Sequence, residues 1–217
     1  MDTTKFPKSI KGLADYGHPV LKQSSNKKIA RRVSKGRFAG YMIRTLTLTE
    51  RDTCPRSCLH WDTCYGNNMP FAHRLDHRDE SLLVDRIRAD LEAHDWSRAG
   101  MLVRLHVLGD FFSVSYVEAW GNFLEEFPGL ACWGYTAREP AEHIGIKIRE
   151  IRYQFPYRFA IRWSNRPGAV FSANSLDLPN PGAGVIPCPE QTGKTKGCGF
   201  CTLCWDQPAR PIGFATH

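Results

Sequence analysis

No run of about 18 apolar residues occurs in this chain, and the opening Met1-Asp2-Thr3-Thr4-Lys5 leads into no apolar stretch. The first absence argues against a membrane-spanning helix, and from the second no secretory leader is expected. Together they predict a cytoplasmic protein with no membrane partner, whose thiols stay reduced and open to metals. A phosphate loop is missing too. Gly193-Lys194-Thr195 has the ending of one, but the position five before Gly193 is Cys188, where a glycine is required. At 217 residues, 42% hydrophobic and 24% charged, the rest is an ordinary globular composition. It suffices for one domain with a sizeable core, or for one domain with a small metal-held appendage.

Acidic residues are scarce at the start. Residues 1–40 hold ten Lys or Arg against Asp2 and Asp15, whereas the remaining 19 basic and 20 acidic residues nearly cancel. The formal charge of +7 therefore belongs to a basic N-terminal arm, residues 1–39, densest at Lys27-Lys28-Ile29-Ala30-Arg31-Arg32. Such an arm can neutralise the phosphates of DNA or RNA and release counterions; the plainer alternative is a solvated leader. Aromatics for base stacking are few there (Phe6, Tyr16, Phe38), so sequence readout by the arm alone is not expected.

Cysteine, by contrast, is abundant and clustered. Seven of the eight cysteines fall into Cys54-Pro-Arg-Ser-Cys58 with Cys64, and Cys188 with Cys198-Gly-Phe-Cys201-Thr-Leu-Cys204. Thiols grouped this way in a reducing compartment point to metal or iron–sulfur ligation rather than disulfides. The first set has three members and the second four. Four thiolates close a metal site, as zinc or as a fully ligated [4Fe–4S] cluster; three leave a coordination position open. Cys54 and Cys58 are four apart, so a single helical turn presents both on one side. A zinc staple completed by His60 or His73 is the alternative for the first set. Cys132, alone in an apolar run, reads as a small buried residue.

Residues 41–49 and 101–108 read as strands, 81–94 as a helix, and 131–136 and 157–163 as further strands. A helix after Ser115 carries a capping-box pattern with Glu118, and another begins near Pro140. Weaker strands are expected at 169–172 and 184–186, with a turn-rich loop at 178–184. This alternation predicts an α/β fold with a parallel sheet, either a partial (β/α) barrel or an open sheet, over residues 40–187. Residues 188–217 would form a cysteine-rich metal knot. Parallel strands bring their C-terminal loops to one rim. There the first cysteine set, Gly109-Asp110, residues 136–139 and Ser164-Asn165 should meet.

The three-cysteine loop after strand one, with Tyr65 beside its last thiol and Gly109-Asp110 ending strand two, resembles the radical S-adenosylmethionine enzymes. The spacing differs: C-x3-C-x5-C here, C-x3-C-x2-C as the usual pattern. The resemblance implies a partial (β/α) barrel whose [4Fe–4S] cluster offers an open iron to S-adenosylmethionine. It also implies an electron donor and a 5′-deoxyadenosyl radical that abstracts a substrate hydrogen. Cys54, Cys58 and Cys64 would hold the cluster, and Tyr65, Gly109, Asp110, Ser164 and Asn165 would adjoin the cofactor. A nearer resemblance is to phage-encoded proteins of the gene product 88 type. It rests on Cys54-Pro-Arg-Ser-Cys58…Cys64-Tyr65-Gly66, on His106-Val-Leu-Gly-Asp-Phe-Phe-Ser113, and on Cys188-Pro-Glu-Gln…Cys198-x2-Cys201-x2-Cys204-Trp205. That family implies a bacterial host cell but no firm activity.

Three functions are thus open. One is an iron–sulfur enzyme of radical S-adenosylmethionine type modifying a nucleic acid or nucleotide, with Cys188, Cys198, Cys201 and Cys204 holding a second metal centre. Another is a zinc-stapled base-exchange enzyme resembling tRNA-guanine transglycosylases, with Asp110 as catalytic nucleophile. The third is a metal-stabilised nucleic-acid-binding protein without catalysis. Asp110 could equally serve as a helix N-cap, and His106 as a core histidine.

Overall fold

The computed structural model describes residues 3–166, 169, 171–176, 184–206 and 210–215. Strands β1 (Ile10–Lys11), β2 (Met42–Thr45) and β3 (Arg74–Leu75) precede helix α1 (Glu80–Glu92). Strand β4 (Met101–Leu105), helix α2 (Val114–Glu126), strand β5 (Leu130–Thr136), helix α3 (His143–Gln154) and strand β6 (Phe159–Ser164) then alternate. Beyond them lie β7 (Ser172–Leu176), β8 (Ile186–Pro187), the short helical turns α4 (Cys198–Cys201) and α5 (Leu203–Asp206), and β9 (Ile212–Ala215).

Seven strands form one sheet in the order β2-β4-β5-β6-β7-β9-β8, every pair parallel, and the sheet curls into a half-barrel. The α/β expectation thus resolves to a partial barrel. β1 and β3 pair separately, also in parallel.

Alternation along the strands explains the two cores. Met101, Val103, Leu105, Leu130, Cys132, Phe159 and Ile161 project to the convex side, where Leu83, Ile87 and Leu91 of α1 and Val117, Trp120 and Leu124 of α2 cover them. Each such side chain, fully buried, contributes roughly 1.5–3 kcal/mol. Cys132 is, as expected, a core residue. The opposite set, Ile43, Leu102, Ala131, Trp133 and Ala160, lines the concave side. Gly134 must be glycine because a Cβ there would lie 1.5 Å from the Leu105 carbonyl oxygen.

The basic arm is packed rather than free. Leu13, Tyr16, Val20 and Leu21 join the convex core, while Ile29, Val33 and Phe38 plug the concave one. Asp90 on α1 accepts the backbone N–H groups of Val20 and Leu21 at 2.6 and 2.7 Å, and Arg86 donates to the carbonyls of Leu13, Tyr16 and His18. Between these anchors Lys27, Arg31, Arg32, Lys35 and Arg37 remain exposed. The segment is therefore an amphipathic strap with its charge outward, which a solvated leader would not be.

Some boundaries move. The cap of α2 is Ser113, whose Oγ accepts the Tyr116 N–H at 2.9 Å; Ser115 instead donates to Glu80 on α1. Glu80 also accepts from Ser113, so the neighbouring helix decides which serine caps. Strand β7 begins where the strand expected at 169–172 would end. Most of the loop expected at 178–184 lies outside the described residues. Residues 198–206 form two helical turns; a closed metal knot is not shown there. No helix among the described residues is long and apolar enough to cross a membrane.

Candidate functional site

Because all seven strands run the same way, their C-terminal loops share one rim, and a cavity of about 520 Å³ opens between that rim and the concave face. Cys54, Cys58 and Cys64 line it from the loop after β2, Gly109 and Asp110 from that after β4, and Ser164 and Asn165 from the end of β6. Cys188 follows β8, and Cys198, Cys201 and Cys204 come from the C-terminal turns. Tyr65 completes the set. The seven clustered cysteines and the five residues expected to adjoin a cofactor thus border one space. All eight cysteines are free thiols.

Within that space the thiols form two groups. Cys58 and Cys64 are close enough to raise the proton affinity of Cys54, and Cys64 that of Cys58; likewise Cys204 raises that of Cys188, Cys204 and Cys188 that of Cys198, and Cys188 that of Cys201. Burial dominates: it pushes Cys54, Cys58 and Cys64 up, and Cys198 to about 12. Backbone amides oppose it. The N–H of His60 faces the Cys58 sulfur, Gly66 that of Cys64, Glu190 that of Cys188 and Leu203 that of Cys201. In each case the donor is two residues further on. Such N–H groups stabilise thiolate, and hydrogen bonds to ligand sulfurs tune a bound centre. The donor set therefore suits a metal or iron–sulfur cluster. Among the described residues no three His, Cys, Asp or Glu side chains stand in single-ion geometry.

Each thiol group has its own buried arginine. Arg74, fully buried, donates to Glu50 Oε2 at 2.6 Å and to Ser9 Oγ at 2.8 Å. It also donates to the carbonyls of Gly66, Met69 and Ala72, fixing the return of the first cysteine loop. Arg162 on β6 donates to the carbonyls of Cys204 and Arg210 at 3.0 and 2.8 Å, tying down the second segment. The basic strap also supports that segment. Lys28 accepts the Cys198 N–H on its carbonyl at 2.7 Å, and Ser34 donates N–H and Oγ to the Gly199 carbonyl. A Cβ at Gly197 or Gly199 would lie within 2.5 Å of the Lys28 or Arg32 carbonyl oxygen. Sequence reasoning missed these arginines. A charged residue inside an apolar strand, as in Phe-Ala-Ile-Arg162-Trp, was the available signal.

Asp110 braces the rim. One carboxylate oxygen accepts from the Phe111 N–H and Thr136 Oγ1, the other from the Ala137 N–H, all at 2.7 Å, while its own N–H donates to Thr53 Oγ1. Burial lifts its pKa to about 6 against those hydrogen bonds. Gly109 precedes it with φ +86°, and a Cβ there would sit 2.7 Å from Thr53 Oγ1. Elsewhere on the rim Asn165 Nδ2 meets His60 Nε2 at 3.3 Å, and His60 Nδ1 lies 3.4 Å from Thr63 Oγ1. His73 is not on the cavity; it contacts Tyr16 and Lys22. The zinc staple through His73 is thus without geometric support.

Tyr65 shows one flank to solvent and its hydroxyl to the interior, where burial pushes its pKa to about 12. Tyr135 on β5 lies with its hydroxyl 3.0 Å from Cys204 Sγ, and burial raises it well above the usual tyrosine range. His106 is buried, and burial lowers its pKa to about 3; its Nε2 pairs with the Tyr116 hydroxyl at 3.0 Å.

Comparison with known proteins places this site in a family. The model described as gene product 88 matches residues 19–150, more than half of the chain. The chain belongs to the gene product 88 family. It is similar to the Gene 88 protein of Mycobacterium phage L5, 36% identical over 61 residues, which covers 28% of this chain and 26% of that protein. The Gene 88 protein of Mycobacterium phage D29 is 33% identical over 76 residues, 35% of this chain and 32% of that one. The chain thus spans about a third or less of the curated relatives it matches. No solved structure matches. A phage gene-product family is therefore supported; a radical S-adenosylmethionine resemblance is not. The family match contains the first cysteine set and Gly109-Asp110 and ends before the second set.

Proposed function

We propose that this gene product 88 family member is an iron–sulfur enzyme of radical S-adenosylmethionine type, acting on a nucleic acid or nucleotide. One observation carries this: a three-thiol loop and a four-thiol segment open onto the same cavity, at the C-terminal rim of an all-parallel half-barrel. Cys54, Cys58 and Cys64 would hold a [4Fe–4S] cluster with one iron free, and Cys188, Cys198, Cys201 and Cys204 a second centre. Bound there, the first cluster would supply one-electron reduction of the sulfonium of S-adenosylmethionine, fed by an external electron donor.

The chain's own residues support the reading. Arg74 and Arg162 fix the two thiol groups; Asp110 and Gly109 shape the rim where the cofactor would lie; Tyr65, Ser164 and Asn165 border the same space. The exposed basic side chains of the strap, from Lys27 to Arg37, support a polyanionic substrate. The zinc-stapled base-exchange alternative is less well supported, because Asp110 is only 3% exposed and its carboxylate is tied to the rim by three hydrogen bonds.

Oxygen-free purification with iron, sulfide and zinc analysis tests this. About eight irons per chain, falling by half in the Cys54→Ala, Cys58→Ala, Cys64→Ala variant, is the expected result. Colourless protein with only zinc would overturn it and leave the non-catalytic, metal-stabilised nucleic-acid-binding protein as the better account.

A further inference from the structure

Among the described residues, the Lys, Arg, Asp and Glu side chains bordering the cavity are held by a partner except one. Lys28 holds Glu190 at 2.6 Å, Glu50 is held by Arg74, and Arg166 pairs with Glu139. Asp110 is occupied by its three hydrogen bonds. Arg104, on β4, has no carboxylate partner among the described residues; one Nη donates to the carbonyl of adjacent Leu105 at 3.2 Å. Its guanidinium lies over the Tyr135 ring, 4.5 Å from the centroid. Stacking occupies a face of the fork and leaves its N–H edge for a ligand.

Two residues on, His106 reaches the same cavity wall. It is only 4% exposed, and its Nδ1 has no hydrogen-bond partner among the described residues. That atom touches no open space and the ring's other nitrogen turns to Tyr116 on α2, so His106 is a wall residue and not a ligand donor. Arginine presents five N–H donors in a planar fork that matches carboxylate and phosphate oxygens. The surrounding walls, Tyr65, Trp133, Tyr135 and Phe214, are aromatic, and about 520 Å³ is ample for a mononucleotide-sized ligand.

We infer that Arg104 is an oxyanion-binding subsite for a small ligand carrying a carboxylate or phosphate on an aromatic body. The inference goes beyond the proposed reaction, since the subsite is built from β4 and requires no metal.

The test is calorimetric titration of the full-length chain, purified without oxygen, with adenosine, adenosine 5′-monophosphate and S-adenosylhomocysteine. These carry the same ring system with no oxyanion, a phosphate and a carboxylate. At least one oxyanion-bearing ligand should bind about ten to a hundred times more tightly than adenosine, the loss expected for a hydrogen bond to a charged group. Whichever does so identifies the source of the oxyanion. Arg104→Gln should erase that advantage and Arg104→Lys should keep part of it, with iron content unchanged in both. Inorganic sulfate should compete for the wild-type site, a check that does not depend on the variants folding. Equal binding of all three ligands, an advantage that survives in Arg104→Gln, or no competition by sulfate would overturn the subsite. Iron analysis reads the proposed function separately.

Discussion

Replacing Arg74 with methionine probes how the first thiol group is held. The guanidinium is fully buried and donates five hydrogen bonds, to Glu50, Ser9, Met69, Ala72 and Gly66. Methionine keeps most of the volume and removes every donor. Glu50, only 1% exposed, would lose its cation and keep the hydrogen bond from the Thr4 hydroxyl at 2.7 Å. Removing one partner of a buried ion pair costs about 3–5 kcal/mol, because the other charge is stranded in low dielectric. Arg74→Met should therefore lower unfolding free energy in urea by about that amount. Adding Glu50→Gln removes the stranded charge, so the double variant should recover at least about 1 kcal/mol relative to Arg74→Met. Iron uptake at Cys54, Cys58 and Cys64 should fall even where the single variant stays folded, since Gly66 and Met69 lose their anchor. A loss below about 1 kcal/mol, or strictly additive effects in the double variant, would refute the claim that this pair organises the loop.

Gly109→Ala meets both a positive φ and a Cβ contact of 2.7 Å with Thr53 Oγ1, so denaturation should register a loss of about 2–5 kcal/mol. A loss under about 1 kcal/mol would show that the rim gives way. Asp110 titrates near 6 when folded, above the ordinary carboxylate value. Its contribution is therefore fully present below pH 4 and lost as pH rises through 6. The metal-free protein should accordingly lose about 3 kcal/mol relative to Asp110→Asn between pH 4 and pH 7; a constant or growing advantage would contradict the burial argument. Exchanging Lys27, Arg31, Arg32, Lys35 and Arg37 for glutamine should flatten the salt dependence of nucleic-acid binding by about 0.9 log units per lost phosphate contact. An unchanged slope would remove the strap from the binding surface.

What the sequence made legible is what depends on local periodicity. Leu83, Ile87 and Leu91 fall on the buried face of α1 as their spacing requires, and the apolar runs at 101–105 and 130–136 became adjacent parallel strands. Parallel order then suffices to bring Cys54, Gly109, Asp110 and Asn165 to one rim. What stayed hidden depends on contacts distant in sequence. Ile29, Val33 and Phe38 look like scattered residues in a charged stretch until the concave face supplies their pocket. Arg74 lies in a two-residue strand with no periodicity to mark it. Strand β9 pairs between β7 and β8, an order that no local pattern dictates. The choice of Ser113 over Ser115 as cap turns on Glu80, 33 residues away in the chain.

The central claim, an open cluster position at Cys54, Cys58 and Cys64, is tested most directly by electron paramagnetic resonance of the reduced, oxygen-free protein titrated with S-adenosylmethionine. Two iron–sulfur signals are predicted, of which one shifts on adding the cofactor and disappears in the Cys54→Ala, Cys58→Ala, Cys64→Ala variant. A spectrum that the cofactor leaves unchanged, or a signal that survives loss of those three thiols, would contradict it.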